Sequence, residues 1–417
     1  MGKQNFHVKT PHVLDQRLGL DLEALMMAAV VEVHKNKTCS HSPEMDPGIW
    51  SQLPENLLEY ILSCLPLKTF LSLRSTSKHF NSLIFSPLFI SKHSSSFSSS
   101  TPFSSFLLLS HPNFHHHYSL YDTILNTWRN FSLSLSPLLS CSPSSYSSST
   151  AQPILLSISH GLLCFSLPNS SSFVVFNLFA RSSRIIKFPT HPFAFELLTL
   201  VSTSSGYKLF MLCPSYGSSN HAFVYDSGLD LWKQFDGIDP ILGDDYHQEG
   251  VSYNGYLYLT TPEPFSILCF DLETGNWKRP IIELPSELMF VRLASDGDEK
   301  LYLIGGIGQN GISRNMKLWE LSSRSEDGGA QNWIEIGSVP EMICRKFMSV
   351  CYHNYEHVYC FWHQGLICVC CYSWPEILYY KISRRTWHWL PKSPSLPEKW
   401  SCGFRWFSLV PQLQGFV

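Results

Sequence analysis

Along this chain the apolar positions change period once. Between Trp50 and Ser91 they recur at helical spacing; from about residue 105 onward they fall in short β-branched and aromatic runs cut by Gly, Asn, Pro and Asp. In the first region Leu57, Leu58, Ile61, Leu62 and Leu65 stand at i, i+1, i+4, i+5 and i+8, one broad helix face. Pro54 suits the first turn, where its missing N–H costs nothing, and Pro66 stops the helix. Leu67, Phe70, Leu71 and Leu73 predict a second short helix, and Thr76, Phe80, Leu83 and Ile84 a third that ends before Pro87. Some forty residues bury too little surface to be stable alone, so part of this apolar face must meet a partner or the rest of the chain.

In the second region one order repeats: strand, loop, strand, polar turn, then a tryptophan opening another strand. Units begin at Phe106, Leu162, Lys208, Leu257, Leu301 and Val358, and the markers Trp128, Ile185, Trp232, Trp277, Trp333 and Trp387 are 45 to 57 residues apart. That period fits four-stranded propeller blades, six of them. A two-sheet sandwich would leave it unexplained. The aromatic stretch Cys402 to Val410 has no unit of its own, and unpaired strand edges are a liability, so it is expected to complete the first blade. The fold class is therefore α+β multidomain, a small helical module followed by an all-β propeller.

Flanking segments read differently. Leu18, Leu22, Leu25, Ala29 and Val33 predict one amphipathic helix within residues 1–45, and Met45 could serve as an internal start. The serine-rich tracts Ser91 to Ser105 and Ser132 to Thr150 cannot bury enough apolar surface to offset chain entropy. The first is expected to be a hinge, the second a long surface loop. A net charge of −3 without a Lys/Arg run gives no footprint for nucleic acid. The longest apolar run, Ala24 to Val31, is short of the ~20 residues that cross a bilayer. A soluble protein is therefore expected, and thirteen cysteines without a repeating framework or a preceding signal-type segment point to a reducing, intracellular setting.

The order Leu53-Pro54, Glu55, Ile61-Leu62, Leu65-Pro66-Leu67, Leu71, Leu73-Arg74, Ser77-Lys78, Phe80 and Leu83 resembles an F-box, with Thr76 where the family usually has valine and Phe80 where many members have tryptophan. The alternative is a helical cap packed on the next domain. The repeats resemble degenerate kelch units: the double glycine survives as Gly305-Gly306, with His160-Gly161, Asn254-Gly255 and Gln364-Gly365 elsewhere. Together the two look like the plant F-box/kelch-repeat family. That resemblance implies an N-terminal extension over 1–45, an F-box over 46–92, a linker over 93–105 and a propeller over 106–411. It also implies docking on a Skp-type adaptor, and through it a cullin, while the propeller holds an unidentified protein for ubiquitination and proteasomal degradation in the nucleus and/or cytoplasm. A non-degradative scaffold or a propeller enzyme are the alternatives.

For adaptor docking the candidates are Leu53, Pro54, Ile61, Leu62, Leu65, Pro66 and Leu67. Substrate contacts are expected where the loops between second and third strands share a face: His111 to His117, Pro168 to Ser172, Ser215 to Asn220, Pro262 to Pro264, Gly308 to Arg314 and His363 to Gln364. His115, His117, Asn220, Glu263, Arg314 and His363 are the named groups. No catalytic residue, cofactor or metal is expected. His115 to His117 are consecutive and point in different directions. Within Cys351, His353, His357, Cys360, His363, Cys368, Cys370 and Cys371, the pair Cys368/Cys370 lies on one strand face and Cys371 on the other. Asp244, Asp245 and Glu249 read as solvated loop carboxylates, and no nucleophile elbow or phosphate loop occurs.

Overall fold

The computed structural model describes residues 48, 52–65, 69–70, 73, 76–83, 86–96, 105–114, 117–133, 153–178, 182–203, 205–214, 220–237, 248–297, 299–322, 331–396 and 401–411. The N-terminal amphipathic helix, Met45 and nearly all of the second serine tract lie outside these residues.

Helix α1 (Glu55–Ser63) starts on Pro54, with Glu55 in its first turn, where a negative charge suits the helix dipole. Thr69, Phe70 and Leu73 are helical, and α2 (Lys78–Leu83) follows. α2 ends before Pro87 as expected, but the chain does not leave helix there. Pro87 instead opens α3 (Pro87–Ser96), because proline at a first helical position forfeits no hydrogen bond. The start of the serine-rich tract is thus helix rather than hinge: the Phe89 ring lies 4.8 Å from that of Phe70, and His93 Nε2 bonds the Leu65 carbonyl at 3.1 Å.

The remainder forms six four-stranded sheets. Blade 1 holds β1 (Phe106–Ser110), β2 (His117–Asp122) and β3 (Thr127–Ser132). Blade 2 is β4 (Ile154–Ser159), β5 (Leu162–Leu167), β6 (Ser172–Asn177) and β7 (Ser182–Lys187). Blade 3 is β8 (Leu197–Thr203), β9 (Gly206–Cys213), β10 (His221–Asp226) and β11 (Leu231–Asp236). Blade 4 is β12 (Val251–Tyr253), β13 (Tyr256–Thr260), β14 (Ile267–Asp271) and β15 (Trp277–Lys278). Blade 5 is β16 (Leu288–Ser295), β17 (Leu301–Gln309), β18 (Ile312–Leu321) and β19 (Trp333–Ser338). Blade 6 is β20 (Val358–His363), β21 (Leu366–Cys371), β22 (Trp374–Lys381) and β23 (Thr386–Trp389). The last strand, β24 (Arg405–Leu409), pairs antiparallel with β1 from Phe106↔Leu409 to Ser110↔Arg405, completing blade 1 as expected.

The repeated signals have distinct local causes. Asp122, Asp226 and Asp271 each accept backbone N–H bonds from residues two and three further on, closing the turn before the fourth strand. A residue with positive φ follows, at Asn126, Asp230, Gly275 and Arg385, always two positions before the marker tryptophan. Trp232 Nε1 then donates to the Lys187 carbonyl and Trp277 Nε1 to that of Asp236, both at 2.9 Å, stapling each blade to the one before it. His160-Gly161, Asn254-Gly255 and Gln364-Gly365 are the two-residue turns between first and second strands, where both positions take positive φ. Gly305-Gly306 differs, lying inside β17. A Cβ at Gly305 would collide with Leu288 and one at Gly306 with Phe290, so the pair lets two neighbouring strands approach.

An unexpected helix, α4 (Glu341–Val350), connects blades 5 and 6 and buries Cys344, Phe347 and Met348. The N-terminal helices do not stand clear of the propeller. Leu62, Phe70, Leu83, Phe89 and Ile90 share one apolar cluster with Phe106, Leu108, Phe165, Phe176 and Leu409 of blades 1 and 2.

Candidate functional site

Three places in this frame can bind something. On α1, a helical period separates two faces. Leu62 is 3% exposed and belongs to the core, not to the outer face of the helix. Leu53, Ile61 and Leu65 are half-buried and Pro54 is exposed, whereas Pro66 and Leu67 lie outside the described residues. The outward face adds Leu57 at 43% and Tyr60 at 57% exposure, with exposed Cys64 one turn on. Leu88 on α3 is 74% exposed. Tyr60 and Cys64 fall three and seven residues after Leu57, a spacing readable from sequence but masked by the stronger Leu/Ile pattern. Glu55, Glu59 and His79 gather on the helices' outer side, with His79 Nδ1 3.5 Å from Glu55 Oε1.

The second place is the propeller face bearing the turns between second and third strands. His117 is exposed at the start of β2, Glu263 is exposed at the Pro262–Pro264 tip, and Arg314 is exposed early in β18. They come from blades 1, 4 and 5 and form no cluster. His115 lies outside the described residues. Asn220 is withdrawn: it is buried, and its Nδ2 donates to Glu196 Oε2 at 2.7 Å. His363 is fully buried as the last residue of β20, with Nδ1 2.8 Å from Ser408 Oγ. Burial without a charge partner depresses its pKa to about 4, so the ring stays neutral. His363 and Gln364 also occupy a turn between first and second strands, at the opposite end of the blade, because successive turns of a meander alternate ends. In blade 6 the corresponding turn on the predicted face is Tyr372-Ser373. That face also receives α4, whose Cys344 Sγ lies 4.0 Å from the Arg314 carbonyl, and α4 and the turn after it expose Met342 and Tyr352.

Cys351, Cys360 and Cys371 pack in one apolar cluster, and Cys368 and Cys370 in another on the reverse of the sheet. Burial pushes the Cys351 thiol up to about 12 and raises the others, so these sulfurs act as small apolar side chains.

The third place is the central channel, walled by the first strands β4, β8, β12, β16, β20 and β24 and enclosing about 540 Å³. Hydroxyls join neighbouring walls where no backbone ladder runs. Leu200 N donates to Ser157 Oγ at 3.2 Å, Gly250 N to Thr199 Oγ1 at 2.9 Å, and Trp406 N to the Tyr359 hydroxyl at 2.8 Å. Across the middle sits the tripeptide Gln248-Glu249-Gly250. Gln248 Nε2 donates to the carbonyls of Leu293 (3.4 Å) and Cys360 (3.1 Å), and its Oε1 accepts from Cys360 N at 2.9 Å. Glu249 Oε2 accepts from Ser157 Oγ at 2.5 Å and Oε1 from Arg405 Nη2 at 3.3 Å. With Gly250 bonded to Thr199, these three residues of blade 4 touch blades 1, 2, 3, 5 and 6. Glu249 is therefore no solvated loop carboxylate. Desolvation raises its carboxyl, while Arg405 and Ser157 pull the other way. The stopper leaves a funnel opening among the turns at His160, Gly297 and Gln364.

Known proteins line up with both parts of the chain. The profile of the F-box domain matches residues 50–92, and that of the F-box associated beta propeller domain matches residues 130–387. An F-box/kelch-repeat protein of Arabidopsis thaliana is 51% identical over 390 residues, covering 91% of this chain and 92% of its own. F-box only protein 6 of Arabidopsis thaliana is 27% identical over 80% of this chain and 68% of its own. The protein ABERRANT PANICLE ORGANIZATION 1 of Oryza sativa subsp. japonica is 24% identical over 90% and 91%.

Proposed function

Since this chain belongs to the F-box/kelch-repeat proteins, we propose that it is the substrate receptor of a Skp-cullin-F-box ubiquitin ligase, acting in the nucleus and/or cytoplasm. Helix α1 docks on a Skp-type adaptor, and the propeller face bearing α4 captures a protein for ubiquitination and degradation. The observation that carries the docking half is the division of α1. Its inner residues complete the protein's own core, yet Leu57 and Tyr60 remain outside with half-buried Leu53 and Ile61 beside them. Fully burying such a side chain contributes about 1.5–3 kcal/mol, against an association cost of ~4–15 kcal/mol, so several must be covered together.

The experiment is adaptor capture with two classes of variant. Leu57→Asp and Tyr60→Ala are expected to weaken capture about tenfold or more with unchanged melting, since about 1.4 kcal/mol is tenfold. Leu62→Ala should instead lower stability by about 2–5 kcal/mol, the cost of a cavity at a buried leucine. Full capture by the Leu57→Asp protein would sink the docking assignment. Reconstituted ubiquitination of proteins captured through the propeller separates the receptor reading from a scaffold, which would bind them without modification.

A further inference from the structure

The funnel is used by neither half of that reading, and its floor has an unusual feature: a carboxylate and a guanidinium that meet without closing. Arg405 and Glu249 touch through one contact of 3.3 Å, with 24% and 26% of their side chains exposed to the channel. A closed pair of this type is bidentate at about 2.7–2.9 Å. Each partner is held back by its own wall. Ser157 of blade 2 grips Glu249 Oε2 at 2.5 Å, while the Arg405 guanidinium rests 5.2 Å from the centre of the Phe407 ring, two residues along the same face of β24. Among the described residues, Arg405 Nε and Nη1 have no partner.

We propose that the funnel binds a small zwitterion of the α-amino-acid type, its carboxylate on Arg405 and its ammonium on Glu249. The ligand exchanges one long ion contact for two short charge-assisted ones. A simple anion would be set beside the Glu249 carboxylate, and a simple cation beside the Arg405 guanidinium, so each would meet a like charge. Above the floor, Ser202, Ser252 and Ser408 carry short hydroxyl side chains, and Val201, Val251 and Ala294 add apolar wall. Those walls leave room for the ligand's own side chain. The volume, about 540 Å³, is of the order of small-molecule sites, roughly 300–1,000 Å³.

The test uses the full chain bound to its adaptor and the free L-α-amino acids, each probed singly by calorimetry and thermal shift. For any that binds, the matching amine without carboxylate and the matching acid without ammonium are measured too. At least one amino acid should bind saturably, at least tenfold tighter than either truncated analogue. Arg405→Gln and Glu249→Gln should each weaken it tenfold or more. Because floor variants could also disturb the channel, Ser252→Trp fills the funnel from its wall and should abolish binding while adaptor capture persists. Failure of every amino acid to bind, equal binding of the acid or amine alone, or binding that survives Ser252→Trp would overturn the proposal. None of these outcomes depends on the ligase reading, which stands or falls on the α1 variants.

Discussion

His363 shows how one side chain can look functional in sequence and be structural in the fold. A histidine beside a glycine turn reads as a loop ligand, but the strand runs one residue further and carries the ring inward to Ser408. Its folded pKa near 4 lies below the ordinary 6.5. The unfolded chain therefore takes up the proton first as pH falls. Stability from the neutral ring is complete above about 6.5 and is lost as pH falls towards 4, in total about 3 kcal/mol. His363→Gln, which can keep a hydrogen bond to Ser408, should flatten that acid limb. Melting curves from pH 7 to pH 4 that remain parallel to the parent would contradict this. At Gly306 the controlling term is space. Gly306→Ala places a methyl against the Phe290 ring and should cost about 1–3 kcal/mol in urea unfolding; an unchanged midpoint would show that β16 yields freely.

At the level of elements, legibility followed the strength of the local period. The marker tryptophans could be read because the turns before Trp128, Trp232 and Trp277 each join a capping Asp to a positive-φ residue two positions before the ring. The closing strand could be read because a ring of sheets leaves one edge open. Helix α4 escaped notice although Ile343, Cys344, Phe347, Met348 and Cys351 repeat the spacing of Leu57, Leu58, Ile61, Leu62 and Leu65. Its cysteines and methionines were a weaker apolar signal, set between two strand units. The propeller face bearing the turns between second and third strands was half legible. Topology assigns an end to every turn, but the shift between turn classes at Gln364 cannot be seen without knowing which strand comes first. The burial of Leu62 in the protein's own core was not legible, because an apolar stripe does not say which of its edges the protein keeps for itself. Closure by β24 has a direct consequence. A chain ending at residue 396 strips β1 of its partner and Glu249 of Arg405. It should lose its cooperative melt and aggregate, as an exposed β edge predicts. A monomeric product with the parental melting temperature, seen by size exclusion and calorimetry, would refute closure as the source of stability.

The whole molecule is held together from its middle as well as around its rim. Gln248 is buried and answers three backbone groups in blades 5 and 6. Gln248→Ala would take the side-chain partner from Cys360 N and O and leave Leu293 O with the Cys360 thiol alone, and at about 1–3 kcal/mol for each such loss, partly relieved by water, the expected cost is about 3 kcal/mol. A loss below about 0.5 kcal/mol in urea unfolding, the scatter of an ordinary surface substitution, would rule the tripeptide out as a tie. Such a tie also acts as a gauge. Three residues can span only a ring whose inner strands all lie within side-chain reach of one point. A seventh blade would widen the circle and pull Ser157, Arg405 and Cys360 beyond that radius. In this protein the number of blades is therefore measured at the hub, so a duplicated blade would have to replace Gln248-Glu249-Gly250 with something longer before the circle could close.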